Sequence, residues 1–135
     1  MLRVFAYIWA APNTVLGLLI VAFASGRGDC VVRRGGVICC YGPTLKTYLA
    51  LAPIGPGGAA AITLGHVIIA ASHRDFERSL QHELVHVRQY ERWGVFFLPA
   101  YAVASLIAHR RGLNYYRDNR FEREAFAGQP SRGGW

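Results

Sequence analysis

The chain is short of acid. Eight Asp and Glu stand against fifteen Lys and Arg in 135 residues, a formal net charge of +7. Excess positive charge often serves nucleic acid, but these arginines are scattered, and no zinc-finger, helix-turn-helix or aromatic stacking pattern accompanies them. Nucleic acid is therefore not an expected partner. Cysteine is scarce as well. Cys30, Cys39 and Cys40 are odd in number and lack CxxC spacing, which excludes a disulfide framework and a thiolate zinc site. They read as small buried apolar residues of strands, in keeping with a reducing compartment. Internal repeats are missing too, and the length suits one domain with one core.

Charge is absent altogether from Val4 to Ala24, a run long enough for a spanning helix but interrupted by Pro12-Asn13-Thr14. With 53% hydrophobic residues and a mean hydropathy of +0.20, the chain is apolar for a soluble domain. Residues 1–26 are thus expected to form an apolar, membrane-associated segment. The arrangements open to it are a kinked transmembrane helix, a helical hairpin dipping into the membrane, a signal peptide cut after Ala22-Phe23-Ala24, or a soluble core helix. Arg27, Arg33 and Arg34 follow this run, and Arg110 and Arg111 follow a second apolar run, Val95 to Ala108; anionic lipid headgroups explain both placements. The second run is too short to span and reads as a core or interfacial helix. Because only Arg3 and the amino terminus precede the first run, the positive-inside tendency puts the remainder of the chain on the cytoplasmic side.

Against that background one motif carries chemistry. His82-Glu83-Leu84-Val85-His86 is an HExxH sequence. On a helix, residues i and i+4 share a face about 6 Å apart, so both imidazoles can reach one Zn²⁺ while Glu83 meets metal-bound water as general base. Ser72 as N-cap, Asp75 and Glu77 in the first turn, Arg88 and Arg92 late and Gly94 as a stop predict a helix over 75–93. A catalytic zinc needs a third protein ligand. Among the downstream candidates Glu91, His109, Asp118, Glu122 and Glu124, Glu91 is rotated away from the His82 and His86 face. Residues 118–126 read as a second helix, whose apolar Phe121, Ala125 and Phe126 define an arc that contains Glu122 and leaves Arg120, Arg123 and Glu124 facing water. Glu122 is the better ligand and Glu124 the alternative.

These residues resemble a family. HExxH followed by a distant glutamate helix resembles the gluzincin metallopeptidases, above all the small single-domain minigluzincins. Residues 65–126 (GHVIIAAS, HELVHVRQY, YRDNRFEREAF) also resemble a group of short bacterial proteins that carry metallopeptidase motifs. The resemblance implies His82, His86 and Glu122 as zinc ligands, Glu83 as general base, and a strand before the metal helix that is an exposed edge pairing with an extended peptide substrate. Many gluzincins carry an aspartate four residues after the ligand glutamate to orient a zinc-bound histidine. Phe126 occupies that place here, so Asp118 or Asn119 is expected to supply the support.

Cys30 to Tyr41 reads as a β-hairpin turning through Arg33-Arg34-Gly35-Gly36, Pro53 to Gly58 as a loop, and Ala60 to Ala71 as a third strand. His66 is a candidate for the cleft wall, and His109, Tyr115 and Tyr116 are candidates to stabilise an oxyanion. The Gly-, Pro- and Ser-containing tail, Gly128 to Trp135, reads as mobile. The expected architecture is α+β and zincin-like, a small antiparallel sheet packed on the HExxH and glutamate helices, over residues 27–135. The expected activity is zinc-dependent hydrolysis of a peptide or protein substrate at a membrane. The alternative is a non-catalytic membrane-associated protein with a structural zinc, which a fourth protein ligand such as His66 or His109 would indicate.

Overall fold

The apolar amino-terminal run folds as one helix, α1, Leu2–Ala24. The structure, a computed structural model, describes residues 2–52 and 58–129. The loop expected from Pro53 and most of the expected tail fall outside the described residues. Pro12 lies inside α1 without ending it, which overturns the helical hairpin. The polar residues beside the proline are not a turn but contacts: Asn13 Nδ2 donates to the Gly94 carbonyl at 2.9 Å, and Thr14 Oγ1 accepts from the His66 amide at 3.0 Å. By length and composition α1 can cross a membrane.

Next come β1 (Cys30–Arg34), β2 (Val37–Tyr41), α2 (Pro43–Ala50), β3 (Ala61–Leu64) and β4 (Val67–Ala70). The four strands form one sheet in the order β1-β2-β4-β3. The expected β1–β2 hairpin is present, with Arg34 opposite Val37. Two expectations are corrected. Ala60 to Ala71 is not a single strand but the β3–β4 hairpin, with Leu64 opposite Val67 across Gly65 and His66. Gly65 has φ +60, the positive value that the first position of a two-residue turn takes and that glycine adopts without strain. The sheet is also mixed rather than antiparallel, because β2 and β4 pair in parallel. That pairing requires a crossover, and α2, which starts with Pro43 at its first turn, lies within it.

Helices cover both faces of the sheet. Cys39, Ile68 and Ala70 pack against Phe76 and Val87 of α3, His73–Trp93. Cys40, Val67 and Ile69 face the other way, onto Val21 and Ala24 of α1 and Leu45 and Leu49 of α2. Ser72 caps α3 by accepting from the Asp75 amide, and Gly94 ends it at φ +55. A 3₁₀ turn, Gly94–Phe96, leads into α4, Phe97–Arg110. A third apolar cluster joins Ala10 of α1 and Tyr90 of α3 to Phe97 of α4 and Phe121 of α5, Arg120–Ala127. Helix α5 is capped by Asn119 Oδ1, which accepts from the Phe121 amide at 2.9 Å. The fold is therefore α+β, with the glutamate helix held against the HExxH helix by aromatic packing.

Candidate metal centre

His82 and His86 lie one turn apart on α3, whose apolar positions Val85 and Val87 keep that stretch of helix in the protein. Their Nε2 atoms are 3.1 Å apart. Two imidazole nitrogens at that distance cannot both carry hydrogen, so at least one lone pair points into the space between them. Glu122, from the first turn of α5, completes the group: its Oε2 is 2.9 Å from His82 Nε2 and its Oε1 is 3.4 Å from His86 Nε2. One ligand atom from each residue lies within 4.8 Å of the others, and all three side chains are buried. Two imidazoles and a carboxylate, converging and withdrawn from bulk water, form a donor set that can hold a divalent metal ion.

The surrounding contacts orient these three side chains. Gln89 Nε2 donates to the Phe121 carbonyl and to Glu124 Oε2, each at 3.0 Å, which fixes the amide and turns Gln89 Oε1 onto His86 Nδ1 at 2.8 Å. His86 then carries its hydrogen on Nδ1 and leaves Nε2 free for metal. The Gln129 side-chain nitrogen donates to His82 Nδ1 at 3.0 Å, which puts the ring hydrogen on Nε2, toward Glu122, and the Phe126 ring packs on the imidazole with centroids 4.7 Å apart. Tyr101 of α4 donates to Glu122 Oε1 at 2.6 Å. Burial alone would raise the Glu122 carboxyl; hydrogen bonds from His82, His86 and Tyr101 outweigh it and bring the value down to about 2. Burial would likewise lower His86, but Glu122 and Glu83 hold its imidazolium above the usual histidine value.

Glu83, the second residue of the HExxH sequence, lines the same cleft as the two histidines and Glu122. It is buried, and Thr63 of β3 donates to its Oε2 at 2.7 Å. Burial pushes its carboxyl up, opposed by His86, Thr63 and His82. A cleft opens beside these groups, with a wall from β3, a floor of His82, Glu83, His86 and Glu122, and Tyr90, Leu98, Tyr101 and Tyr116 around it. Burial first, then the charges of Glu122 and Glu83, raise the Tyr116 phenol, which keeps it protonated as a donor.

Of the residues singled out in the sequence, His82, Glu83, His86 and Glu122 come together as expected, and Tyr116 joins them at the cleft. Others do not. His66 lies away from the site, stacked on Tyr7 with ring centroids 4.1 Å apart and its Nε2 3.0 Å from Glu91 Oε1. His109 and Tyr115 are exposed and line no part of the cleft. Asp118 accepts from the Asn114 amide, and Asn119 caps α5, so neither faces the two histidines; the Gln89 oxygen stands at His86 Nδ1 instead, and the Gln129 side-chain nitrogen at His82 Nδ1. Nor is the strand directly before the metal helix the free edge, since β4 is internal and β3 is the edge at the cleft. Thr63, Gln89, Tyr101 and Gln129 had not been singled out. Gln89 was open to detection, because three residues beyond His86 is the same face of α3; no local signal marks the other three. Comparison of the chain with protein-family models, curated proteins and solved structures finds no match.

Proposed function

We propose that this chain is a zinc-dependent metallopeptidase of zincin-like, gluzincin type, held at the cytoplasmic side of a membrane through α1. The observation that carries the reading is a set of three ligands, among the described residues, with an HExxH glutamate and an open cleft beside it. Three protein ligands leave a coordination position for water, as catalytic zinc sites do, whereas structural sites are closed by four. His66 and His109, the candidates for a fourth ligand, are turned elsewhere.

His82, His86 and Glu122 would hold the zinc, which when bound supplies Lewis-acid polarisation and a water of lowered pKa. Glu83 accepts the proton of the attacking water and passes it to the leaving amine. A carboxyl raised by burial suits both transfers, since its affinity for the proton lies closer to working pH. Tyr116, protonated and at the cleft, is placed to donate to the developing oxyanion. Tyr101, already committed to Glu122, holds that ligand in place.

The membrane part rests on α1 and on Arg27 just beyond it, which suits the anionic cytoplasmic leaflet. A direct test of the chemistry is hydrolysis of an unfolded polypeptide by zinc-loaded chain and by Glu83→Gln. The variant should keep its metal and fold and lose turnover by at least about 10²-fold, the size of a general-base contribution. Equal turnover in the two would end the proposal.

A further inference from the structure

The large apolar side chains left exposed concentrate on two adjoining elements. On α1 they include Val4, Phe5, Ile8, Val15, Leu19 and Phe23, and the set continues at Phe96 and Leu98. Trp9 joins the two: its ring lies 6.2 Å from that of Phe5 and 6.1 Å from that of Phe96. Neither residues 1–28 nor residues 95–117 contain an acid. Arg3 and Arg27 at the ends of α1, and Arg110 and Arg111 at the end of α4, are exposed. An apolar surface ringed by arginine and free of carboxylates matches a bilayer with anionic headgroups.

The opposite face of α1 decides how such a bilayer is met. Tyr7 donates to the Gly36 carbonyl beside Arg33 and Arg34, Asn13 to the Gly94 carbonyl, and Thr14 accepts from His66. Further along, Gly17 abuts Leu64 and Val67, and Gly26 abuts Thr44. The folded chain therefore lines α1 from Tyr7 to Ala24, about 25 Å at 1.5 Å per residue, which is most of the hydrocarbon thickness. Were α1 to cross, the β1–β2 hairpin with its arginines and the unpaired edge of β1 would enter hydrocarbon, where exposed backbone groups and charges are excluded.

We infer that α1 is a monotopic anchor. Its outer face, continued by Phe96 and Leu98, lies in the plane of an anionic bilayer with the arginines among the headgroups, and it does not cross. This rests on the membrane attachment proposed above and specifies its geometry. Leu98 also lines the metal cleft, so the surface brings that cleft to the level of the lipid.

The test uses the full chain with sealed vesicles of phosphatidylcholine, with and without phosphatidylglycerol. Cys30 is exposed and is replaced by serine, Cys39 and Cys40 are buried, and Arg3→Cys or Arg27→Cys then reports each end of α1. The chain should float with the anionic vesicles and far less with neutral ones. Both reporters should react from outside with a membrane-impermeant maleimide. Phe5→Ser with Phe23→Ser should cut partitioning at least about tenfold while the thermal midpoint stays in place, because both rings leave the apolar face. One reporter protected until detergent opens the vesicles would show a crossing helix and overturn the in-plane geometry alone. Unchanged partitioning of the double variant would also overturn it. No flotation with either vesicle would overturn the attachment as well, and a soluble dimer that does not float would assign the face to a second copy.

Discussion

Gln89 and His86 hold each other in one state: the amide oxygen of Gln89 lies 2.8 Å from His86 Nδ1 because its nitrogen is already taken by the Phe121 carbonyl and Glu124. One fully buried side chain thus sets the tautomer of a ligand and ties α3 to the helix that supplies Glu122. Gln89→Leu should lower zinc affinity by about 10–100-fold, the usual effect of losing a group that orients a metal ligand. Chelator competition measures it, and an unchanged affinity would show that the hydrogen bond has no part in orienting His86.

Thr63 and Glu83 give a second prediction, on pH. The threonine hydroxyl donates to the carboxylate and so favours its ionised form against a burial that disfavours it. Thr63→Val removes that donor. The acid limb of kcat/KM should move to higher pH, since Glu83 must be ionised to accept a proton. A pH–rate profile of the two proteins reads the shift; a limb that stays put or moves to lower pH would remove Glu83 as the group responsible.

Without metal, the ligands should make stability depend on pH in both directions. Despite burial, Glu122 is lowered from its ordinary 4.5 to about 2 by its partners, so its contribution is complete above 4.5 and fades as pH falls toward 2. His86, also against burial, is raised above its ordinary 6.5, so its contribution is complete below 6.5 and fades as pH rises through its folded value. Glu122→Gln removes the titrating carboxylate of the acid limb and one of the two charges that hold His86, so in metal-free protein it should flatten the acid limb of the thermal midpoint against pH and reduce the alkaline one, where Glu83 still acts. Added zinc should reverse the alkaline limb, because it binds the unprotonated imidazole.

How much of this was legible in the sequence depended on how local each feature is. The spacing of His82 and His86 and the caps Ser72 and Gly94 act within one helix, and α3 forms where they place it. Phe121 and Ala125 are buried and turn Glu122 inward with them, because a helix in contact with a core buries its apolar arc, whereas Phe126, the third residue of the expected arc, is left exposed against the His82 ring. The sheet was harder. A mostly apolar stretch from Ala60 to Ala71 resembles one strand, and the Gly65-His66 turn, where Gly65 takes φ +60, divides it. The parallel pairing of β2 with β4 follows from the crossover rather than from any residue in either strand. Tyr101 and Gln129 reach the ligands only through tertiary packing, across separations that no periodic pattern encodes. Pro12 shows the converse: a residue that reads as a break is accommodated in α1 while its neighbours Asn13 and Thr14 bond to other elements.

The most direct measurement is zinc binding by the purified chain, by Glu122→Gln and by Glu124→Gln, side by side in competition with a chelator. Glu122 faces both imidazoles, whereas Glu124 bonds Gln89 and Arg92 and touches neither ligand nitrogen. One zinc per chain is expected, with affinity reduced by at least about 10²-fold in Glu122→Gln, which loses one of three ligands, and by less than about tenfold in Glu124→Gln. Full affinity in Glu122→Gln, or no zinc bound by the unaltered chain, would contradict the metal centre and the hydrolytic function built on it.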